Sequence, residues 1–194
     1  MENSHFLQLL QTAYSLSENA IKLLEPRIKK LSLPKGTPIL QAGQVCRHIY
    51  FIESGFVRYF KLHQGEELTT NFAAQGQFCS AIDSLLNQRP SDEHMHCEAD
   101  GQLYALNYYD LLALEDLSFE FVLLCRKIAQ HYLCQINQER DLYRRSNAAE
   151  KYNYLCQQYP GIGNYVKQKD LASYLGITQQ SFSRMLKEGL TKTQ

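Results

Sequence analysis

Gln179, Gln180, Ser183 and Arg184 bring two amides, a hydroxyl and a guanidinium together near the end of the chain, and Lys187 follows within a turn. Glutamine offers a donor and an acceptor side by side, and arginine a planar fork of donors. That is the chemistry that reads base edges, glutamine against adenine and arginine against guanine, with each good pair contributing roughly 1–3 kcal/mol of discrimination. Lys167, Lys169, Thr178 and Lys187 are the residue types that meet phosphate oxygens and fix register without reading sequence.

Such side chains work only on a framework that holds them, and "QKDLASYLGITQQSFSRMLKE" (168–188) supplies one. Leu171, Leu175, Ile177, Phe182 and Met185 are spaced as two short helices crossing over a tight turn. Ala172 leaves room for the second helix, and Gly176 can take the positive φ of the turn. Thr178 can cap the second helix by accepting from the N–H of Gln180 or Ser181. With Phe182 and Met185 turned inward, Gln179, Gln180, Ser183, Arg184 and Lys187 face outward. The expectation is a helix-turn-helix whose partner is double-stranded DNA.

Upstream, "SHFLQLLQTAYSLSENAIKLLEPRIKKLSL" repeats apolar residues at three and four, giving short helices interrupted near Ser17 and stopped at Pro26. From Pro34 to about Leu106 short β-rich runs alternate with Gly, Asn and Asp, as in "HIYFIESGFVRYFKL", which predicts an antiparallel barrel or jelly roll. The helical period returns at Tyr109 and is expected to persist to about Arg145. Val122, Cys125, Ala129, Tyr132 and Ile136 form one stripe, beside a second of Phe121, Leu124 and Ile128. A helix apolar on two stripes can pack on its own domain and on a second copy, so it is expected to join a homodimer. Asn147 with Glu150 three residues on is a capping-box signature, and Pro160-Gly161 closes the helix that it opens. The expected fold class is α+β: helices and β-roll over 1–108, a long dimerisation helix over 109–145 and a helix-turn-helix domain over 146–194.

Composition fits this division. Hydrophobic content is 44% and charged content 21%, and the net charge of zero hides an asymmetry. From Arg144 onward there are eight basic residues, Lys192 included, against three acidic, leaving twelve against seventeen in the rest. A basic end on an acidic body suits a polyanionic partner for that end. No apolar run approaches the roughly 18 residues of a spanning helix, and "MENSHFLQLLQ" has no positively charged leader, so a cytoplasmic address without membrane contact is expected. The six cysteines show no C-x-x-C spacing, which favours reduced structural thiols over a metal site.

The order of parts resembles the Crp/Fnr family of bacterial transcription regulators over nearly the whole chain. The resemblance is carried by "LPKGTPILQAGQVCRHIYFIESGFVRYF", "SNAAEKYNYLCQQYPGI" and "VKQKDLASYLGITQQSFSRMLKE". It implies a homodimer joined through the long helix, an inverted-repeat operator, contact with RNA polymerase and no catalytic activity. Gln179, Gln180 and Arg184 match the family's base-reading positions, with Ser183 between them. Where the family's cyclic-nucleotide sensors carry Gly-Glu, this chain has Ser80-Ala81. Where a cation should meet the phosphate, it has Asp92, Glu93 and His94, and a carboxylate there repels the ligand. Arg89 is the one candidate substitute. Cyclic AMP is therefore not expected at the usual site, although an unknown small-molecule effector in the region of Ser80, Ala81, Arg89 and His94 stays open. The segment before Cys46 has no cysteines for an iron–sulfur cluster, and nothing selects a haem ligand among His48, His63 and His94, so no cofactor is expected. With eight residues following Leu186, no β-wing beyond the second helix is expected.

A cupin-like metal enzyme or ligand-binding module is the competing reading. His94 and His96, with Glu98, would face one side of a strand in an H-x-H arrangement. The glycine expected before the first histidine is missing, however, and Glu98 lies closer than the usual third ligand. A roll that senses nothing and serves only as a dimerising and polymerase-contacting body is a third possibility.

Overall fold

The computed structural model describes residues 5–191, with side chains described to Glu188; Lys192 of the basic end lies outside the described residues. Two short helices open the chain, α1 (His5–Thr12) and α2 (Glu18–Leu24). The free N–H groups of His5 and Phe6 at the start of α1 donate to the Glu53 carboxylate at 2.8 and 3.0 Å. Ser17 caps α2 by accepting from the N–H of Ala20, while its own N–H and hydroxyl donate to the Glu120 carboxylate at 2.7 and 2.8 Å. Pro26 then falls in a single 3-10 turn, Glu25–Arg27, where its missing N–H breaks no helix bond.

The roll follows as β1 (Ile28–Leu33), β2 (Pro38–Leu40), β3 (His48–Ser54), β4 (Phe56–His63), β5 (Glu66–Ala74), β6 (Phe78–Cys79), a helix α3 (Ile82–Asn87), β7 (His94–Cys97) and β8 (Gly101–Asn107). These form two antiparallel four-stranded sheets, ordered β1-β8-β3-β6 and β2-β7-β4-β5, with β5 at the edge of the second. The β3–β4 corner requires glycine twice. Gly55 has φ +108°, and a Cβ on it would lie 2.8 Å from the Gly101 Cα; a Cβ on Gly101 would lie 2.5 Å from the Ser54 carbonyl oxygen. The two backbones cross where no side chain fits.

Alternation along the strands sorts the apolar residues into three layers. Tyr50, Ile52, Val57, Tyr59, Met95 and Leu103 fill the space between the sheets. Phe51 and Tyr104, on the opposite face of the first sheet, pack with Phe6, Leu10 and Leu24 of the N-terminal helices and with Phe121 and Leu124. Phe56 and Phe72, on the outer face of the second sheet, join the C-terminal helices in the third cluster.

The helical stretch expected from Tyr109 to Arg145 is two helices, α4 (Tyr108–Leu117) and α5 (Phe119–Arg145). Ser118 separates them in an extended conformation, its hydroxyl accepting from the N–H of Glu120, a local bond that competes with helix continuation. Along α5 the two stripes diverge. Phe121 and Leu124 are buried and Ile128 packs beside them, whereas Val122, Tyr132 and Ile136 are 36–42% exposed in the single chain, Ala129 is exposed and Cys125 half-buried. Burial and the neighbouring Glu115 push the Cys125 thiol up to about 12. All six cysteines are free.

The last unit comprises α6 (Ala148–Gln158), α7 (Ile162–Tyr165), α8 (Gln168–Leu175) and α9 (Gln179–Thr191). The capping box at its start is formed in full, with Asn147 accepting from the N–H of Glu150 at 3.0 Å and donating its own N–H to the Glu150 carboxylate at 2.9 Å. Among the described residues no helix is long and apolar enough to cross a membrane. Phe121 is fully buried where three elements meet, so Phe121→Ala should cost about 3–5 kcal/mol of stability, measured by urea unfolding. A loss below about 1 kcal/mol would show that this layer does not hold the helices to the roll.

Candidate nucleic-acid interface

Helices α8 and α9 cross as the sequence pattern requires. Gly176 has φ +70°, and its N–H and that of Ile177 close the last turn of α8 on the carbonyls of Ala172 and Ser173. The Thr178 hydroxyl accepts from the N–H of Ser181 at 3.1 Å and donates to the Ser181 hydroxyl, so Thr178 is engaged as the α9 cap. Leu171, Ala172, Leu175 and Phe182 are buried, Phe182 completely, with the Tyr152 ring set edge-on against it at 5.0 Å. Met185 and Ile177 pack at the margin.

This packing turns Gln179, Gln180, Ser183, Arg184 and Lys187 to one side, where together they line a shallow concavity. All but Ser183 are exposed, as are Lys167 and Lys169 at the start of α8. Ser183 is half-buried and donates its hydroxyl to the Gln168 side-chain oxygen at 3.1 Å. Gln168 was not among the residues singled out from sequence.

A second cluster, which no sequence motif marks, lies under α8. Arg58 on β4 is 5% exposed and meets three carboxylates. Its Nε donates to Glu98 at 2.6 Å and one Nη to Glu67 at 2.7 Å, while the other Nη faces Thr69 Oγ1 at 3.3 Å and Asp170 of α8 at 3.7 Å. The guanidinium also rests 4.4 Å above the Phe60 ring. Burial alone would lower the Arg58 pKa, but the bonds to Glu98 and Glu67 raise it, so it stays charged. Burial raises Asp170, an effect only partly offset by Arg58 and Lys169. At Glu67 the order is reversed, since burial would raise the carboxyl but the Arg58 bonds prevail and lower it. Beside this cluster, Ser173 of α8 accepts from the N–H of Thr69 and donates to the carbonyl of Glu67, both at 3.1 Å, and so pairs with the edge of β5. The Tyr159 hydroxyl donates to the Phe72 carbonyl at 2.9 Å, and Tyr165 stacks on Phe56 at 5.4 Å. The signal available in sequence was Asp170 next to Leu171 on an apolar helix face, and an arginine inside the strand run "FVRYF".

The residues considered for an effector do not converge. Ser80 and Ala81 are buried toward the core between the sheets, where Ser80 donates to the His48 carbonyl at 3.0 Å and lies 3.3 Å from the Cys46 sulfur. The Ser84 hydroxyl accepts from the Cys46 N–H and donates to the Arg89 carbonyl, tying the ends of this segment together. The Arg89 side chain points to the surface and forks onto Asp83 at 2.8 Å. His94 sits on the other face of the second sheet, stacked on Phe60 at 4.8 Å, and its Nε2 is buried without a partner among the described residues. Asp92 pairs with Lys61 at 2.7 Å and Glu93 accepts from Thr70 at 2.9 Å.

His94 and His96 do share a face, but their rings lie 6.1 Å apart with Phe60 packed against both, and Glu98 is held by Arg58. Burial, with Arg58 and His94 nearby, lowers the His96 pKa. Among the described residues, no three His, Cys, Asp or Glu side chains come together to hold a metal.

A β-roll covered by helices on one side and carrying a helix-turn-helix on the other is a two-part architecture that a lone cupin barrel lacks. Residues 30–116 match the family described as cyclic nucleotide-binding domain, and over 89% of its length the chain is similar to regulators of the Crp/Fnr type. It is 26% identical over 179 residues to the cyclic AMP receptor protein of Thermus thermophilus, covering 89% of this chain and 82% of the relative. It is 25% identical over 195 residues to the fumarate and nitrate reduction regulatory protein of Vibrio cholerae, covering 89% and 74%. The structure of FixK2 from Bradyrhizobium japonicum has the same fold, with a TM-score of 0.71 at 17% identity over 86% of each chain.

Arg58→Leu would leave Glu67, Glu98 and Asp170 buried or half-buried without their counter-charge, and should cost about 3–5 kcal/mol in urea unfolding. A loss below about 1 kcal/mol would mean that the three carboxylates do not depend on it.

Proposed function

We propose that this protein is a sequence-specific transcription regulator that binds double-stranded DNA as a homodimer. The single observation that carries the reading is the outward face of α9, where Gln179, Gln180 and Arg184 stand exposed on a helix whose opposite side is locked by Phe182. Laid in a major groove, α9 brings two amides and a guanidinium to base edges, with Ser183 beside them, while Lys167, Lys169 and Lys187 reach phosphates. Thr178 lies at the same surface but its hydroxyl is engaged in capping α9.

The exposed stripe of Val122, Ala129, Tyr132 and Ile136 on α5, with Cys125 half-buried beside it, is the surface that a second copy would cover. A two-fold dimer then reads an inverted repeat with half-sites about one helical turn apart, roughly 34–36 Å. The β-roll serves as the body that meets RNA polymerase. A cyclic AMP receptor protein is among the relatives, yet here the Ser80 hydroxyl is held by the His48 carbonyl, the Ser84 hydroxyl lies between the Cys46 N–H and the Arg89 carbonyl, Ala81 is buried, and the Arg89 side chain is paired with Asp83. We therefore read the roll as not controlled by cyclic AMP, and any effector as of another class.

Selection of random duplex DNA by the purified protein should enrich an inverted repeat. Arg184→Ala should weaken the enriched site by roughly 1–3 kcal/mol and relax one position in each half-site, whereas Lys169→Ala should weaken all sequences about equally. Wild-type binding by both variants would remove this face of α9 from the interface. In calorimetry, cyclic AMP should give no binding heat at micromolar affinity, and a clear isotherm would restore the nucleotide site.

A further inference from the structure

Reading an inverted repeat requires the two reading helices of a dimer to stand at a fixed separation, and something in each chain must hold its own α9 at the right angle. The covalent connection does little of this, because Ser146 and Asn147 join α5 to α6 through two extended residues with ψ of 147° and 174°. Ser146 caps α5 and Asn147 caps α6, so each helix end is fixed locally while the angle between the two helices rests on the torsions between these caps. Apolar contact of Phe56 and Phe72 with the helices keeps the two parts close, and the Tyr159 hydroxyl bonds the Phe72 carbonyl from the end of α6, yet hydrophobic burial is non-directional and one bond leaves the angle of α8 open.

Polar contacts to the roll are made at two points on α8, an ion pair at Asp170 and a pair of hydrogen bonds at Ser173. Asp170 faces the buried Arg58, and Ser173, three residues further on and hence on the same helix face, pairs with both the N–H and the C=O presented by the β5 edge. The two hydrogen bonds of Ser173 fix the helix against the strand edge, and the Arg58–Asp170 ion pair a turn away opposes rolling of α8 on the sheet. Because α9 is packed on α8 through Leu171, Ala172, Leu175 and Phe182, what orients α8 orients the reading face. None of these bonding groups lies on that face, so they can act on DNA only through position.

We propose that Arg58, Asp170 and Ser173 are positioning residues that set the half-site separation read by the dimer. The proposal rests on the DNA-binding reading above and adds to it the element that determines spacing. Base preference within a half-site belongs to Gln179, Gln180 and Arg184; the spacer belongs to the junction between β4, β5 and α8. The two properties are then separable by mutation.

The test uses full-length protein and a duplex library in which the two half-sites enriched by wild type are fixed and the spacer between them varies. Asp170→Asn keeps the side-chain shape and leaves Arg58 with Glu67 and Glu98; Ser173→Ala removes the hydroxyl at a half-buried position. Both are checked for wild-type melting first, and if Asp170→Asn does not fold, Ser173→Ala decides. Each variant should keep the half-site bases and its affinity for an isolated half-site, while its preference for the best spacer over the neighbouring ones falls by up to about tenfold, as expected for loss of one directional bond. Arg184→Ala should do the reverse, blurring the bases and keeping the spacer. A spacer preference as sharp as wild type in the folded variants would overturn the proposal, as would an equal loss on isolated half-sites, which is the signature of a merely structural role. If wild type enriches a half-site but tolerates every spacer, the proposal fails while DNA binding stands. If wild type enriches nothing, both fail.

Discussion

Both sheets of the roll are apolar on both faces, and that constraint shapes the rest of the molecule. One pair of faces closes on itself around Ile52, Val57 and Met95. The other two must be covered from outside, because each exposes large aromatic rings, Phe51 and Tyr104 on the first sheet and Phe56 and Phe72 on the second. The N-terminal helices and the start of α5 cover one, and the C-terminal unit covers the other. The helix-turn-helix is consequently a structural layer of the roll as well as a unit with an exposed face of its own, and its position follows from the need to bury Phe56 and Phe72.

The ion cluster beneath α8 is better understood as a device for geometry than for stability. Burying one guanidinium among three carboxylates incurs desolvation that the mutual attraction roughly offsets, and a well-packed apolar cluster of the same volume would hold the layer at least as strongly. What an apolar cluster lacks is direction. Arg58 has its Nε on Glu98 and one Nη on Glu67, which leaves the other Nη to face Asp170 in one orientation only. Ser173 adds the second fixed point at the strand edge.

The sequence made legible what is encoded over short distances. The turn at Gly176, the cap at Thr178, the inward Phe182 and the capping box at Asn147 each depend on neighbours within a few residues, and each is found as the pattern implies. The roll was visible as a class, through strand runs and glycine turns, without its sheet order. The break at Ser118 escaped because an apolar period runs through it, and only the hydroxyl's bond to the Glu120 N–H tips the balance. Arg58, Glu98 and Asp170 escaped for the opposite reason. They are 40 and 112 positions apart along the chain from Arg58, and nothing local distinguishes a charge that will be buried from one that will be solvated. His94 was grouped with Ser80 and Ala81 by analogy of position, and strand alternation sends it to the other face of the sheet.

The hydroxyl of Ser173 has one more consequence. Strand β5 is the outermost strand of its sheet, and an outermost strand with open N–H and C=O groups is a template on which another chain can add a strand. By occupying the Thr69 N–H and the Glu67 carbonyl, a single side chain from the helix above closes that template. The docked helix thereby covers part of the open edge against edge-to-edge pairing, so that the protection of the strand and the placing of α9 rest on the same few atoms.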